Sequence, residues 1–264
     1  MTDKRTELHL HTRYSRGDGI SSPQELLDRA LADGQKAMAI TDWHTTKAFQ
    51  EAAAYAADRP IRLIYGLEFR IRRSGGRYHC IALAKNQEGV HILEEIARNR
   101  GAAAEELERS RDKLILGSAC DQGELYQAVL AGAFMDKLTE IARFYDYLEI
   151  QPPDNYLFLQ KDFPWITTKR LEENVRTLLE IGKAAERPVI AAGDACYARR
   201  EQGEERLAYL AKEGFPDLYG PAPLFLRHTG EMLEEFSFLD PAAARRIVVD
   251  EPDRIAELCG EIIF

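Results

Sequence analysis

Two histidines, His9 and His11, stand one residue apart in the run ELHLHT at residues 7–12. Side chains alternate across an extended chain, so both imidazoles face the same side. Two adjacent imidazoles, met by a Glu and an Asp from elsewhere, make a donor set suited to Zn, Mn or Fe. Such donors recur along the chain: Asp18, the triplet Asp42-Trp43-His44, Glu68, His79, Cys120, Glu149 with Gln151, and Asp194 with Cys196. Each stands at or just after an apolar stretch or hairpin strand, where α/β barrels carry their chemistry. Taken singly, Glu68 reads as a solvated strand end and Asp194 as a helix cap. Their convergence on five separate strand ends favours a metal site over those separate readings. His91 and His228 lie outside the set.

The elements that must position these residues follow from the apolar pattern. Strands are predicted at residues 6–10, 36–41, 61–65, 114–117, 147–150 and 188–192, with a hairpin of 69–72 and 78–84 turning at 74–76. Ser22-Pro23-Gln24-Glu25 reads as a capping box that opens a helix ending at Gly34. Further helices are predicted at 45–57, from about 88 towards 109, at 122–131, 135–144 and 168–185, and through most of the chain after 200. A loop is expected around 216–223. Helices alternating with about seven strands point to an α/β fold with a parallel sheet, open or closed into a barrel. No repeat, low-complexity run or linker divides residues 1–264, so one domain is expected, with a helical part over about 200–264.

Composition narrows the function classes. With 45% apolar residues the chain can bury a full core, and no apolar stretch is long enough to span a bilayer. Thirty-five Lys and Arg against 44 Asp and Glu give a net charge of −9, which disfavours an extended DNA-binding surface yet leaves room for a local phosphate pocket. The four cysteines, Cys80, Cys120, Cys196 and Cys259, include no C-x-x-C pair. With no leader-like apolar run at the start, they read as reduced thiols of a cytoplasmic protein.

The segments ELHLHT (7–12), Asp18-Gly19, AITD (39–42), YGLE (65–68), LAKN (83–86), GSAC (117–120), YDYLEIQP (145–152) and Gly193-Asp194 together resemble the PHP (polymerase and histidinol phosphatase) domain. The version they resemble most is that of PolC-type bacterial DNA polymerase III alpha subunits, and EMLEEFS (231–237) and PDRIA (252–256) extend the likeness. The resemblance implies a distorted (β/α)7 barrel with up to three metals at its mouth. By that likeness His9, His11, Glu68 and Asp194 hold the first metal, and Glu68 bridges to a second held by His79 and Cys120. Asp18 holds a third, with a histidine after Asp42 and another two residues after Asp194. Here Trp43 and Cys196 stand at those two positions, so two sites look intact and the third degraded. His44 could supply the missing ligand from a slipped loop, but register favours a side chain facing water, with Trp43 filling the vacated space.

The implied function is a metal-dependent phosphoesterase: a metal-activated water at a two-metal site hydrolyses a phosphomonoester or removes a terminal nucleotide. Glu68 and Asp194 are the catalytic carboxylates of this reading, and Zn, Mn or Fe the cofactors, two per chain. The partner is a phosphorylated small molecule or a nucleotide or nucleic-acid end. Arg13 and Arg16, in the loop between His11 and Asp18, are candidates for its phosphate. The alternative is an inactive PHP domain serving as a scaffold or binding module related to DNA polymerase III. The short turn between Arg72 and His79 stands where PolC-type chains carry an exonuclease insertion, which favours a standalone protein.

Overall fold

Ser22 caps the first helix, α1 (Pro23–Asp33), as its sequence predicts. Its hydroxyl accepts the Glu25 amide while the Glu25 carboxylate accepts the Ser22 amide, and Gly34 ends the helix in the left-handed region. The computed structural model describes residues 3–215 and 222–262, so most of the loop expected at 216–223 lies outside the described residues. After α1 come β1 (Ala37–Ile40), α2 (Ala48–Ala56) and the long hairpin of β2 (Arg62–Arg73) and β3 (Gly76–Ala84). Then follow α3 (Gln87–Asn99), β4 (Ala102–Ala103), α4 (Ala104–Glu108), β5 (Leu114–Gly117), α5 (Glu124–Leu130), α6 (Met135–Ala142) and β6 (Leu148–Ile150). The chain ends with α7 (Thr168–Ala185), β7 (Val189–Ala191), α8 (Gly203–Lys212), α9 (Thr229–Glu235), α10 (Pro241–Arg245) and α11 (Glu251–Glu257). Among the described residues no helix is long and apolar enough to cross a membrane.

The fold is mixed α/β. One sheet runs β1-β2-β3-β5 with β4 beside β2, and a second pairs β6 with β7. The β1–β2 and β6–β7 pairs are parallel, whereas β3 runs antiparallel to both β2 and β5. The sheet is therefore not all-parallel: the hairpin expected at 69–84 reverses the chain, and its first arm continues the strand expected at 61–65 without a break, as β2. That reversal matters for chemistry. Arg70, late in β2, pairs with His79, early in β3, so His79 arrives at the same end as the carboxyl ends of the parallel strands.

The segment at 6–10 is extended but forms no continuous strand: only Glu7 and Leu10 bridge, to Met38 and Ala195. The physical reason is the Glu7 carboxylate, which takes the amides of Leu8 and His9 at 3.0 Å, the first of them from its own neighbour. The helix predicted from 88 towards 109 also breaks. Arg100 and Gly101 both adopt positive φ, and a Cβ at Gly101 would collide with the Arg70 carbonyl, so the chain turns there to lay β4 against β2. Apolar residues of the strands and of the helices packed on them, among them Leu10, Met38, Leu67, Leu93, Leu116, Leu148 and Ile181, form the main core.

Candidate metal centre

His9 and His11 are both buried, and their Nε2 atoms lie 3.2 Å apart. The Glu68 Oε2 atom is 3.8 Å from His9 Nε2 and 3.4 Å from His11 Nε2. Asp194 Oδ1 is 3.5 Å and 3.2 Å from the same two nitrogens. Four ligands on tetrahedral bonds of about 2.1 Å stand roughly 3.4 Å from one another, so these contacts have the spacing of donors around one ion. The donor chemistry, two imidazoles and two carboxylates, fits a divalent cation equally well.

The other oxygen of Glu68 serves a second set. Oε1 lies 2.9 Å from His79 Nδ1 and 3.6 Å from Cys120 Sγ, and the thiol is 3.5 Å from that nitrogen. One carboxylate thus faces two groups of ligand atoms, one with each oxygen. Both groups, His9–His11–Glu68 and Glu68–His79–Cys120, are compact enough to hold an ion.

The imidazoles are aimed by neighbours. Glu149 Oε1 is 2.7 Å from His9 Nδ1, and Ser15 Oγ is 3.1 Å from His11 Nδ1 while donating to Asp18 Oδ2 at 2.8 Å. These contacts hold the Nδ1 side of each ring and so turn both Nε2 atoms to the centre. Glu149 was legible in the sequence as a strand end, but its orienting role was not. The signal is its position between Leu148 and Ile150, which turns it to the opposite face of the strand. Glu149→Ala is expected to weaken divalent-metal affinity about 10- to 100-fold, by analogy with other orienting partners of ligand histidines. Competition with a chromogenic chelator measures this.

The backbone bends to deliver these groups. Six described residues other than glycine have positive φ, and three of them, His44, Ala119 and Asp194, lie beside the donors. Gly193 precedes Asp194 and donates its amide to both oxygens of Glu7, at 3.0 and 3.1 Å. A Cβ there would stand 2.5 Å from Glu7 Oε2, so only glycine permits the approach.

Electrostatically the centre is a sink for positive charge. Burial opposes a charged His9, yet the carboxylates of Glu149 and Asp194 outweigh it and raise the ring well above the usual histidine range. Against the same desolvation, Asp194, Asp18 and Glu68 raise His11 to about 9. Glu68 is buried, which would raise it, but His79 and His9 hold it well below the usual carboxylate range. Burial pushes the Cys120 thiol up, with Glu68 adding to the effect.

The third group of sequence candidates does not assemble among the described residues. Asp18 is engaged with Ser15, and Cys196 Sγ turns to the Asp194 carbonyl at 3.6 Å within a small apolar cluster of Tyr197, Leu224 and Phe225. The Trp43 ring lies 4.2 Å from that of His79, tilted by 32°, with the Arg70 guanidinium 5.3 Å above it. It therefore covers the second donor set. His44 corrects the expectation of a water-facing side chain: it is half-buried against Trp43, and its Nδ1 is buried without a hydrogen-bond partner among the described residues. Burial and the nearby Arg70 lower its pKa to about 4.

Arg13 and Arg16, the sequence candidates for phosphate, are held in exposed ion pairs with Glu51 and Glu213 at 3.1 and 3.2 Å. The sequence reading missed a third arginine, Arg206, which is buried and donates Nε to the Asp18 carbonyl at 2.8 Å. Its signal was weak, since it sits in a charged helical run, EERLAYLAK, that reads as solvent-facing.

A family model described as PHP domain matches residues 7–158. The DNA polymerase III PolC-type of Clostridium perfringens is 36% identical over 190 residues, covering 69% of this chain and 13% of that protein. That of Thermotoga maritima is 34% identical over 196 residues, covering 70% and 14%. The chain thus spans about one-seventh of the length of these curated relatives. A two-domain protein from Bacteroides vulgatus, described as containing a predicted PHP-like metal-dependent phosphoesterase, aligns at a TM-score of 0.43 and 14% identity. It covers 73% of this chain and 52% of that one.

Proposed function

The chain belongs to the PHP domain family, and from that premise we propose that it is a metal-dependent phosphoesterase with two adjacent metal sites. The observation that carries this reading is the divided Glu68 carboxylate, with one oxygen on the His9–His11 set and the other on the His79–Cys120 set. The substrate class is a terminal phosphoester, on a phosphorylated small molecule or a nucleotide or nucleic-acid end. The bridges Glu7–Met38, Leu10–Ala195 and Gly117–Tyr147 link the N-terminal segment and the two sheets edge to edge. They support a distorted (β/α)7 barrel with the donors at its mouth, and residues 1–264 as one unit.

In this reading His9, His11, Glu68 and Asp194 hold the first metal, and Glu68, His79 and Cys120 the second. When bound, the metals supply Lewis acidity toward a phosphoryl oxygen and bring water closer to ionisation at neutral pH. The protein supplies the geometry. Glu68 fixes the distance between the two sets and offsets their charge. Glu149 and Ser15 hold the Nδ1 sides of His9 and His11, which leaves their Nε2 atoms turned to the metal. Asp194 is the most exposed member of the first set, its side chain 21% accessible, so it is the carboxylate that an entering water meets first. Gln151 steadies its outer oxygen at 3.4 Å and also donates to Glu149 at 2.9 Å.

Elemental analysis of protein purified without chelator is expected to find about two equivalents of Zn, Mn or Fe per chain. A screen of phosphomonoesters and 3′-terminal nucleotides on the loaded protein should then find turnover that a chelator abolishes. Near-zero metal, even after incubation with Mn or Zn, would overturn the phosphoesterase and favour a scaffold or binding module. The degraded third set is the observation that favours that second reading.

A further inference from the structure

Three buried arginines, Arg5, Arg206 and Arg227, are found among the described residues. Arg5 is paired with Glu7 at 2.8 Å, and Arg227 with Glu235 at 2.7 Å. Arg206 stands apart, since no carboxylate among the described residues comes within 4 Å of its guanidinium. Its one hydrogen bond there runs from Nε to the Asp18 carbonyl. A guanidinium taken out of water without a paired anion is costly, so its persistence in the fold calls for a compensating charge or ligand. Against that burial, Cys196, Asp18 and Asp194 favour its charged form. Asp18 is one of the residues that mark the degraded third metal site, so its bond holds Arg206 against that position.

From these contacts we propose that Arg206 takes the place of the third cation and binds the phosphate of the substrate. This rests on the phosphoesterase reading above. A fixed cation held against Asp18 adds positive charge to this acidic region without needing the histidines that Trp43 and Cys196 replace. With Nε committed to Asp18, both terminal amino groups remain, and their fork matches two phosphoryl oxygens. Held by α8 and Asp18, the guanidinium is already ordered before substrate arrives, which reduces the entropy lost on binding.

Calorimetric titration of inorganic phosphate into the Mn-loaded protein tests this, with metal content measured on the same samples. Arg206→Met is expected to retain the wild-type metal content and to weaken phosphate binding about 10- to 100-fold, the range for a lost charged hydrogen-bonding group. Arg206→Lys keeps the charge without the fork and should lose roughly 3- to 10-fold. If Arg206→Met fails to fold, the lysine variant decides. Unchanged phosphate affinity with metals retained overturns the role of Arg206 and leaves the phosphoesterase reading standing. A wild type that holds metal but binds no phosphate overturns it as well. Absence of metal from the wild type overturns both readings together.

Discussion

Replacing Glu68 by alanine should empty both of the proposed metal sites at once, taking the metal content from the roughly two equivalents per chain that the proposal expects to near zero. The expectation follows from the division of one carboxylate between two donor sets: Oε2 faces His9 and His11, and Oε1 faces His79 and Cys120. Removing it strips an anionic donor from each set and removes the shared counter-charge that two adjacent cations would need. His79→Ala provides the contrast, because it touches the second set alone and should remove about one equivalent. Glu68→Gln keeps the volume and removes the charge, which separates ligand loss from a cavity effect. Full retention of one equivalent in Glu68→Ala would mean that the carboxylate is not shared. Measured hydrolysis should fall with the metal, so elemental analysis and turnover are read on the same preparations.

Replacing Glu7 by alanine should destabilise the fold by about 3–5 kcal/mol, the range for breaking a buried ion pair by removing one partner. Glu7 and Arg5 are both inaccessible and meet at 2.8 Å, so the variant leaves the Arg5 charge buried and unpaired. The same carboxylate accepts the amides of Leu8, His9 and Gly193. Its loss therefore leaves three buried donors without acceptors and frees the segments that carry His9 and Asp194. Since domains are stable by only about 5–15 kcal/mol, a loss of this size is a large share of the total. Denaturant unfolding of the metal-free protein measures it, and a change below about 1 kcal/mol would contradict the role assigned to Glu7. Glu7→Gln, which retains an acceptor for the amides, should cost less.

The two variants probe different layers of one design. Glu68 touches the ions, while Glu7 acts through the backbone that aims the ligands. Glu149, Ser15 and Gln151 lie between these layers, joining His9, His11 and Asp194 to the strands behind them. The sequence grouped Glu149 and Gln151 with the strand-end donors and left Ser15 aside, but none of the three was read as an orienting partner. A Glu within LEI or a Ser within a loop has no local feature that distinguishes an orienting partner from an ordinary polar residue.

The elements were largely legible because their signals are local. The capping box at Ser22 and Glu25, the apolar run of β7 and the periodicity of α7 each depend on residues within a few positions of one another. The break at Arg100-Gly101 was not, because its cause is the Arg70 carbonyl, which sets no pattern near residue 100.

For the site, the sequence by itself determined which donor atoms exist and that they cluster at or near apolar strands. His9 and His11 share a side because an extended chain alternates every residue, and Cys120 and Asp194 follow the ends of β5 and β7, whereas Glu68 lies inside β2 and His79 near the start of β3. Tertiary structure alone decided the rest. It divided the Glu68 oxygens between two sets, laid Trp43 over His79, turned Cys196 into an apolar cluster and buried Arg206 against Asp18, a residue 188 positions away. Those outcomes depend on contacts between distant segments, where packing and unpaired charge select one arrangement, and no short-range periodicity encodes them.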